Sequence, residues 1–244
     1  MGQLSGTWTY TPGLRFVARL AVGLALSIFL AGVPAAPRHG GHDEPLHSEA
    51  PHAASRSEAV TLHRGGAGQP AGLLIADIVV DEEFVARAGD DWERVALAIL
   101  DDANRLLAEV DVRLEPGSLG RWVSDDSETS LSSLLRAADQ DAQRTDGRLL
   151  LVVTCQDTVK YDGFVHGSQG RLAVQFHHDA VWRTAHVIAH EIGHLLGAEH
   201  HDDDEECEGD SCLMEQAGYV YSATWCDHHR DELRATVAAA TVPA

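Results

Sequence analysis

HEIGHLLGAEH, residues 190 to 200, brings His190, Glu191, His194, Gly197 and His200 into eleven positions. His190 and His194 are four residues apart, which on a helix sends both imidazoles off one face at a spacing that reaches one metal ion. The surrounding residues support that helix. Asp179 is placed to cap it, and Ala185, Ile188, Ile192, Leu195 and Leu196 keep a helical apolar register. Gly197 can take the left-handed conformation that ends a helix, turning the chain so that His200 swings back as a third donor. Three neutral imidazoles leave a tetrahedral zinc ion one open position. A closed structural site would draw its donors from Cys and His, so Glu191 beside the first histidine is expected to act as a general base in hydrolysis. The competing reading is a buried helix whose histidines only satisfy local hydrogen bonds. It accounts for neither Gly197 nor His200, nor for Met214 soon afterwards in Ser211-Cys212-Leu213-Met214.

Upstream of this run the sequence alternates between strand and helix patterns. LLIADIVV, beginning at Leu73, is a short β-branched apolar run of strand length. Asp90 and Glu93 have capping-box spacing, and Val95, Ile99, Leu106 and Val110 predict a long amphipathic helix over 91–109. Val110 to Leu114 alternates like a strand, and Leu131, Leu134, Leu135 and Ala138 mark another helix. Leu149 to Val153 is a continuous apolar run, as in a strand buried on both faces. Arg171 to Phe176 reads as a further strand. The order β-α-β-α-β-β-α argues for an α/β sandwich.

The N-terminus has Arg15 and Arg19, an apolar run from Leu20 to Val33, then the small residues Ala35 and Ala36. That order reads as a signal peptide over 1–35 and predicts secretion. The run is short for an uncleaved membrane anchor, which needs about 20 apolar residues. Residues 36–70 are rich in Gly, Pro, Ala and Ser and contain His39, His42, His47, His52 and His63. A disordered His-rich linker or pro-segment is expected there, with the catalytic domain over 71–244. The chain has 244 residues and a formal charge of −20, a balance that repels nucleic acid and anionic lipid surfaces. Cys155, Cys207, Cys212 and Cys226 allow three disulfide pairings in an exported protein. Cys207 and Cys212 can close a small loop, which would leave Cys155 with Cys226. Asp202 to Asp210 has enough carboxylates for calcium but lacks the ligand alternation of an EF-hand, so a charged surface loop is expected. His177, His178, His186, His201, His228 and His229 are expected to be solvated or structural.

HExxHxxGxxH followed by Met214 resembles the metzincin signature. Within that clan the chain looks like the adamalysin or reprolysin family, a likeness extending over about residues 73 to 235. IVVDEEFVARAGDDWERVALAILDDANRLL is similar to the family's first strand and helix, and CxxxxCLM, ending at Met214, resembles its cysteine pattern. The resemblance implies an α/β metzincin-like sandwich with a mixed, mostly parallel twisted sheet, an active-site helix and a small C-terminal subdomain. It further implies His190, His194 and His200 as zinc ligands, Glu191 as catalytic base, and Met214 beneath the metal without bonding to it. Gly218 to Thr224, with Tyr219 and Tyr221, would wall the specificity pocket, and Arg171 to Phe176 would be a sheet edge to which an extended peptide could add. Three features depart from the family: His201 stands where Asp is usual, Ile75 lies near where a calcium-binding Glu often stands, and no cysteine precedes the domain to cap a zinc ion. The expected activity is that of a monomeric zinc endopeptidase acting on a protein or peptide substrate. Two rivals share the same residues: an exported zinc-binding protein without catalysis, and an amidase or peptidase of narrow specificity.

Overall fold

The computed structural model describes residues 60–66, 68, 70–141, 145–157, 159, 161–200, 212–215 and 224–241. All of these fall in one compact unit, His52–Ala244. The expected signal peptide, most of the His-rich linker, the acidic run 202–210, Cys207 and the segment 218–223 lie outside the described residues.

Among the described residues six strands form one sheet: β1 (His63–Arg64), β2 (Gly72–Val80), β3 (Val112–Arg121), β4 (Leu149–Thr154), β5 (Gly163–His166) and β6 (Arg171–Gln175). Five helices among the same residues accompany them: α1 (Glu82–Ala88), α2 (Trp92–Leu107), α3 (Leu131–Asp141), α4 (Val181–Leu195) and α5 (Asp227–Ala240). β3, β2, β4 and β6 run parallel, while β5 pairs antiparallel with β6 and β1 antiparallel with β2. The mixed, mostly parallel sheet is therefore as expected.

The continuous apolar run of β4 has a simple cause. Leu149, Leu151 and Val153 point to one face, joining Leu172 and Val174 in the core shared with α2 and α4. Leu150 and Val152 point to the other, packing with Ala173, Leu131, Leu134 and Leu135. A strand covered on both faces has no solvent side on which to alternate. Helix α2 buries Ala96, Ile99, Leu100, Ala103, Leu106 and Leu107 along one stripe and lies against α4. Each such leucine or isoleucine contributes about 1.5–3 kcal/mol on burial.

Several elements differ from the sequence expectations. Edge strand β5, Gly163–His166, lies in what reads as a Gly-punctuated loop, and Arg171–Gln175 is an inner strand between β4 and β5. Four residues give too short a pattern to distinguish strand from loop; the pairings of Gly163 with Val174 and Val165 with Leu172 create it. Strand β3 runs on through Pro116 and Gly117 to Arg121, because its register on β2 shifts at Ala76/Asp77 and absorbs the extra residue. Buried Asp77 holds that irregularity, accepting from Ser118 Oγ at 2.8 Å, Arg148 Nη1 at 3.0 Å and the Thr145 N–H at 3.1 Å. The Asp90/Glu93 capping box does not form. A 3-10 turn over Gly89–Asp91 leads into α2, whose N-cap Asp91 makes no side-chain cap bond. Residues 60–64, assigned to the linker by composition, belong to the domain: Val60 and Leu62 pack on the core, the Thr61 N–H donates to Gly147 O, and β1 pairs with β2.

Helix α1 is absent from the sequence expectations, and Asp81 starts it. The Phe84 N–H donates to its Oδ1 at 2.8 Å, and the Cys155 N–H donates to its Oδ2 at 3.0 Å. One fully buried carboxylate thus joins the end of β2, the start of α1 and the exit of β4. Asp81→Ala leaves two buried N–H donors without acceptors and is expected to cost about 3 kcal/mol, read as a lower midpoint in urea denaturation.

Candidate active site

Helix α4 buries Ala185, Ile188, Ala189 and Ile192 against the core, leaving His190 and His194 half-buried on its other flank. The expected Asp179 cap is not made: Ala180 occupies the N-cap without a side-chain bond, and Thr184 Oγ1 accepts instead from the His177 N–H at 2.9 Å. The C-terminal end follows expectation. Gly197 has φ 102°, its N–H reaches His194 O at 3.0 Å, and the Ala198 N–H reaches Gly193 O at 3.0 Å. That reversal returns His200 to the helix face.

The three imidazoles meet at their Nε2 atoms, at 3.1 Å for His190–His194, 3.0 Å for His194–His200 and 3.2 Å for His190–His200. The opposite nitrogens of two rings are fixed by carbonyls. His190 Nδ1 lies 2.7 Å from Leu213 O, and His194 Nδ1 lies 2.8 Å from Ala198 O. A carbonyl can only accept, so each Nδ1 carries the proton and each Nε2 presents a lone pair. Converging lone pairs repel unless a cation lies among them. Tetrahedral zinc at about 2.0–2.1 Å from each nitrogen would separate the nitrogens by about 3.3 Å, close to the spacing found, so the residues fit the ion. Burial, reinforced by His194, His200 and His229, holds the His190 pKa down at about 4 against the opposing Leu213 bond. His190 is therefore neutral, as a metal ligand must be, across the physiological range.

Glu191 is buried, 6% exposed, and burial pushes its carboxyl pKa up to about 8. It faces β5: a Cβ on Gly163 would lie 2.3 Å from Glu191 Oε1. Only glycine leaves this carboxylate its place. Asp162, just before it, pairs with Arg183 of α4 and lies 3.2 Å from His177 Nε2, tying the start of the edge strand to the first turn of the helix. Burial raises the Asp162 pKa, but the bonds from His177 and Arg183 outweigh it and leave the group below its ordinary value.

Met214 is fully buried. A Cβ on Gly193 would meet its Sδ at 2.6 Å and the Trp225 ring at 3.1 Å, so the turn packs directly under the helix between His190 and His194. Trp225 is anchored by its Nε1–H donating to Leu106 O at 2.9 Å. The structure thus brings His190, Glu191, His194, His200 and Met214 together. His186 bonds the Trp182 carbonyl one turn back at 2.8 Å, and His177 serves Asp162.

Other contributors had no signal in the sequence. Gly163, Leu213 O and Ala198 O act through backbone placement, which residue type does not reveal. His229, expected on the surface, is buried at 3% exposure between Cys212 and Cys226. Among the described residues Cys155 is buried and unbridged, so the Cys155–Cys226 pairing is not made, while Cys207 lies outside the described residues. Cys155 follows β4 beside Asp81, whereas Cys226 caps α5 beside Cys212, so the two expected partners sit in different parts of the core.

Comparison with solved structures finds a zinc-dependent peptidase from Methanocorpusculum labreanum, 15% identical with TM-score 0.47, covering 65% of this chain and 99% of that one. Archaemetzincin from Methanopyrus kandleri is 14% identical with TM-score 0.49, covering 68% and 96%. Metalloproteinase-II from Bacteroides fragilis is 16% identical with TM-score 0.45, covering 73% and 56%. No curated protein sequence matches the chain. The family model Reprolysin_5, metallo-peptidase family M12, matches residues 73–227. This span runs from the first core strand through the three histidines and the methionine turn, and by it the chain belongs to metallo-peptidase family M12.

Proposed function

We propose that the protein is an exported zinc endopeptidase in which His190, His194 and His200 hold the metal and Glu191 moves the proton. The observation that carries this is the convergence of three Nε2 lone pairs at 3.0–3.2 Å beside a buried carboxyl. Zinc, when bound there, supplies a Lewis acid for the scissile carbonyl and makes water easier to deprotonate. Glu191 takes the proton from the attacking water and returns it to the departing amine. Its buried position suits both steps, because a carboxyl whose pKa is raised toward neutrality can accept and then release a proton at neighbouring pH values. With a cation held by the three histidines, Glu191 would have its pKa lowered again and would start the cycle ionised.

Edge strand β5 is the proposed substrate rail. Among the described residues it pairs with β6 on one side only, and Gly163 places it against Glu191. An extended peptide adding along its free edge would be held by main-chain hydrogen bonds with its backbone near the base. Such recognition depends little on side chains, which favours an endopeptidase over an amidase for one small substrate. Export rests on Arg15, Arg19 and the apolar run from Leu20 to Val33 followed by Ala35 and Ala36.

Hydrolysis of a peptide library by the zinc-loaded protein tests the proposal. Chelator should abolish turnover, and Glu191→Gln should keep the three-histidine metal while lowering kcat about a hundredfold to ten-thousandfold. Metal uptake by the wild type without any turnover would instead identify a binding protein. Gly163→Ala should also retain the metal but lose about a hundredfold in kcat, because the added methyl displaces the Glu191 carboxylate.

The metal-free protein carries two opposed pH dependences. Glu191 has a folded pKa of about 8, above its unfolded value, so its contribution is complete below 4.5 and is lost as pH rises through 8. His190, held at about 4, contributes fully above 6.5 and loses that contribution as pH falls through 4. Thermal scans of metal-free protein from neutral pH to pH 9 should show Tm falling in the wild type and staying nearly level in Glu191→Gln.

A further inference from the structure

Behind the methionine turn lies a second cluster of metal-ligating side chains, separate from the three histidines. Cys212 Sγ, Cys226 Sγ and His229 Nδ1 lie within 4.8 Å of one another, and all three residues are buried. The ring nitrogen is 3.4 Å from one sulfur and 3.3 Å from the other. On the far side of the ring, His229 Nε2 is 3.0 Å from Glu199 O. That carbonyl can only accept, so Nε2 carries the proton and Nδ1 turns a lone pair toward both sulfurs. One cation could take a lone pair from all three at once.

We propose that Cys212, Cys226 and His229 bind a second zinc ion with a structural role. Thiolate and imidazole donors suit zinc. Tetrahedral bonds of about 2.3 Å to sulfur and 2.0–2.1 Å to nitrogen would place the sulfurs about 3.6 Å from the nitrogen, near the spacing found. Backbone donors already surround the sulfurs. The Cys226 N–H is 3.3 Å and the Met214 N–H 3.5 Å from Cys212 Sγ, and the His229 N–H is 3.5 Å from Cys226 Sγ. Burial pushes the Cys212 thiol pKa up to about 11, and the N–H contacts from Cys226 and Met214 oppose that rise, so the thiolate would form as a cation binds. Binding releases two thiol protons to solvent and involves no change of oxidation state. Cys207 lies outside the described residues, and the assignment stands on the three donors named.

The position explains what this ion would do. Glu199, held through His229, immediately precedes His200. Cys212 immediately precedes Leu213, whose carbonyl fixes His190. One ion would therefore tie α5 to both segments that aim catalytic-site histidines, and it would do so without a disulfide.

Cobalt(II) provides the test, because the three-histidine site contains no sulfur. Full-length wild type loaded with cobalt is expected to show a near-ultraviolet sulfur-to-cobalt charge-transfer band. His194→Ala should retain that band, and Cys226→Ser should lose it. Zinc content should fall from two ions per chain to one in each variant. If Cys226→Ser does not fold, the wild type still decides: alkylation of native protein should be about tenfold slower with zinc than after chelation. Absence of the charge-transfer band in cobalt-saturated wild type, or a Cys212–Cys226 disulfide found by peptide mapping of the native protein, would overturn the proposal. Neither result depends on peptidase activity, so the second site can fail while the catalytic reading stands.

Discussion

Three imidazole lone pairs directed at one point repel one another, and the architecture around them holds that arrangement in place. His190 is fixed by the carbonyl of Leu213 and His194 by that of Ala198. Neither carbonyl is on the helix that carries the rings, so the helix alone cannot set the donor geometry. It depends on the reversal at Gly197 and on the turn at Met214, each of which must be anchored independently. The anchors are Trp225 packed beneath Gly193 and the Cys212–Cys226–His229 cluster behind it.

The same constraint explains why the site lies where the sheet gives way to the edge strand. Strands β4 and β6 are covered on both faces, so with β2 they form a rigid base with little freedom of side chain or register. Helix α4 lies across that base and presents its polar flank away from it. Among the described residues that open side is closed by β5, a short antiparallel strand whose Gly163 lies against Glu191. Burial of Glu191 therefore depends on that strand.

Electrostatics follows from this packing. His190 and Glu191 are neighbours in sequence, yet burial moves their pKa values in opposite directions, to about 4 and about 8. Low dielectric disfavours the charged form of each, so between those two values both groups favour their neutral forms.

The sequence by itself determined the helix, its histidine face, the left-handed turn at Gly197 and the paired apolar strands. These are properties of spacing and residue type, which act locally: a period of 3.6 or 2, or a glycine where φ must be positive. It misplaced the edge strand, overlooked α1 and the packing of residues 60–64, and left open which cysteines pair. Each of those was decided by contacts between residues far apart in the chain. β5 exists through its pairing with β6, α1 through a carboxylate shared with β4, and the fate of the cysteines through which of them the core brings together. Glu191 and the three histidines could be named from the sequence alone. The lone pairs that converge, the strand that covers the base and the histidine that faces two thiols required the tertiary structure, because hydrogen-bond partners and burial are set by the whole fold.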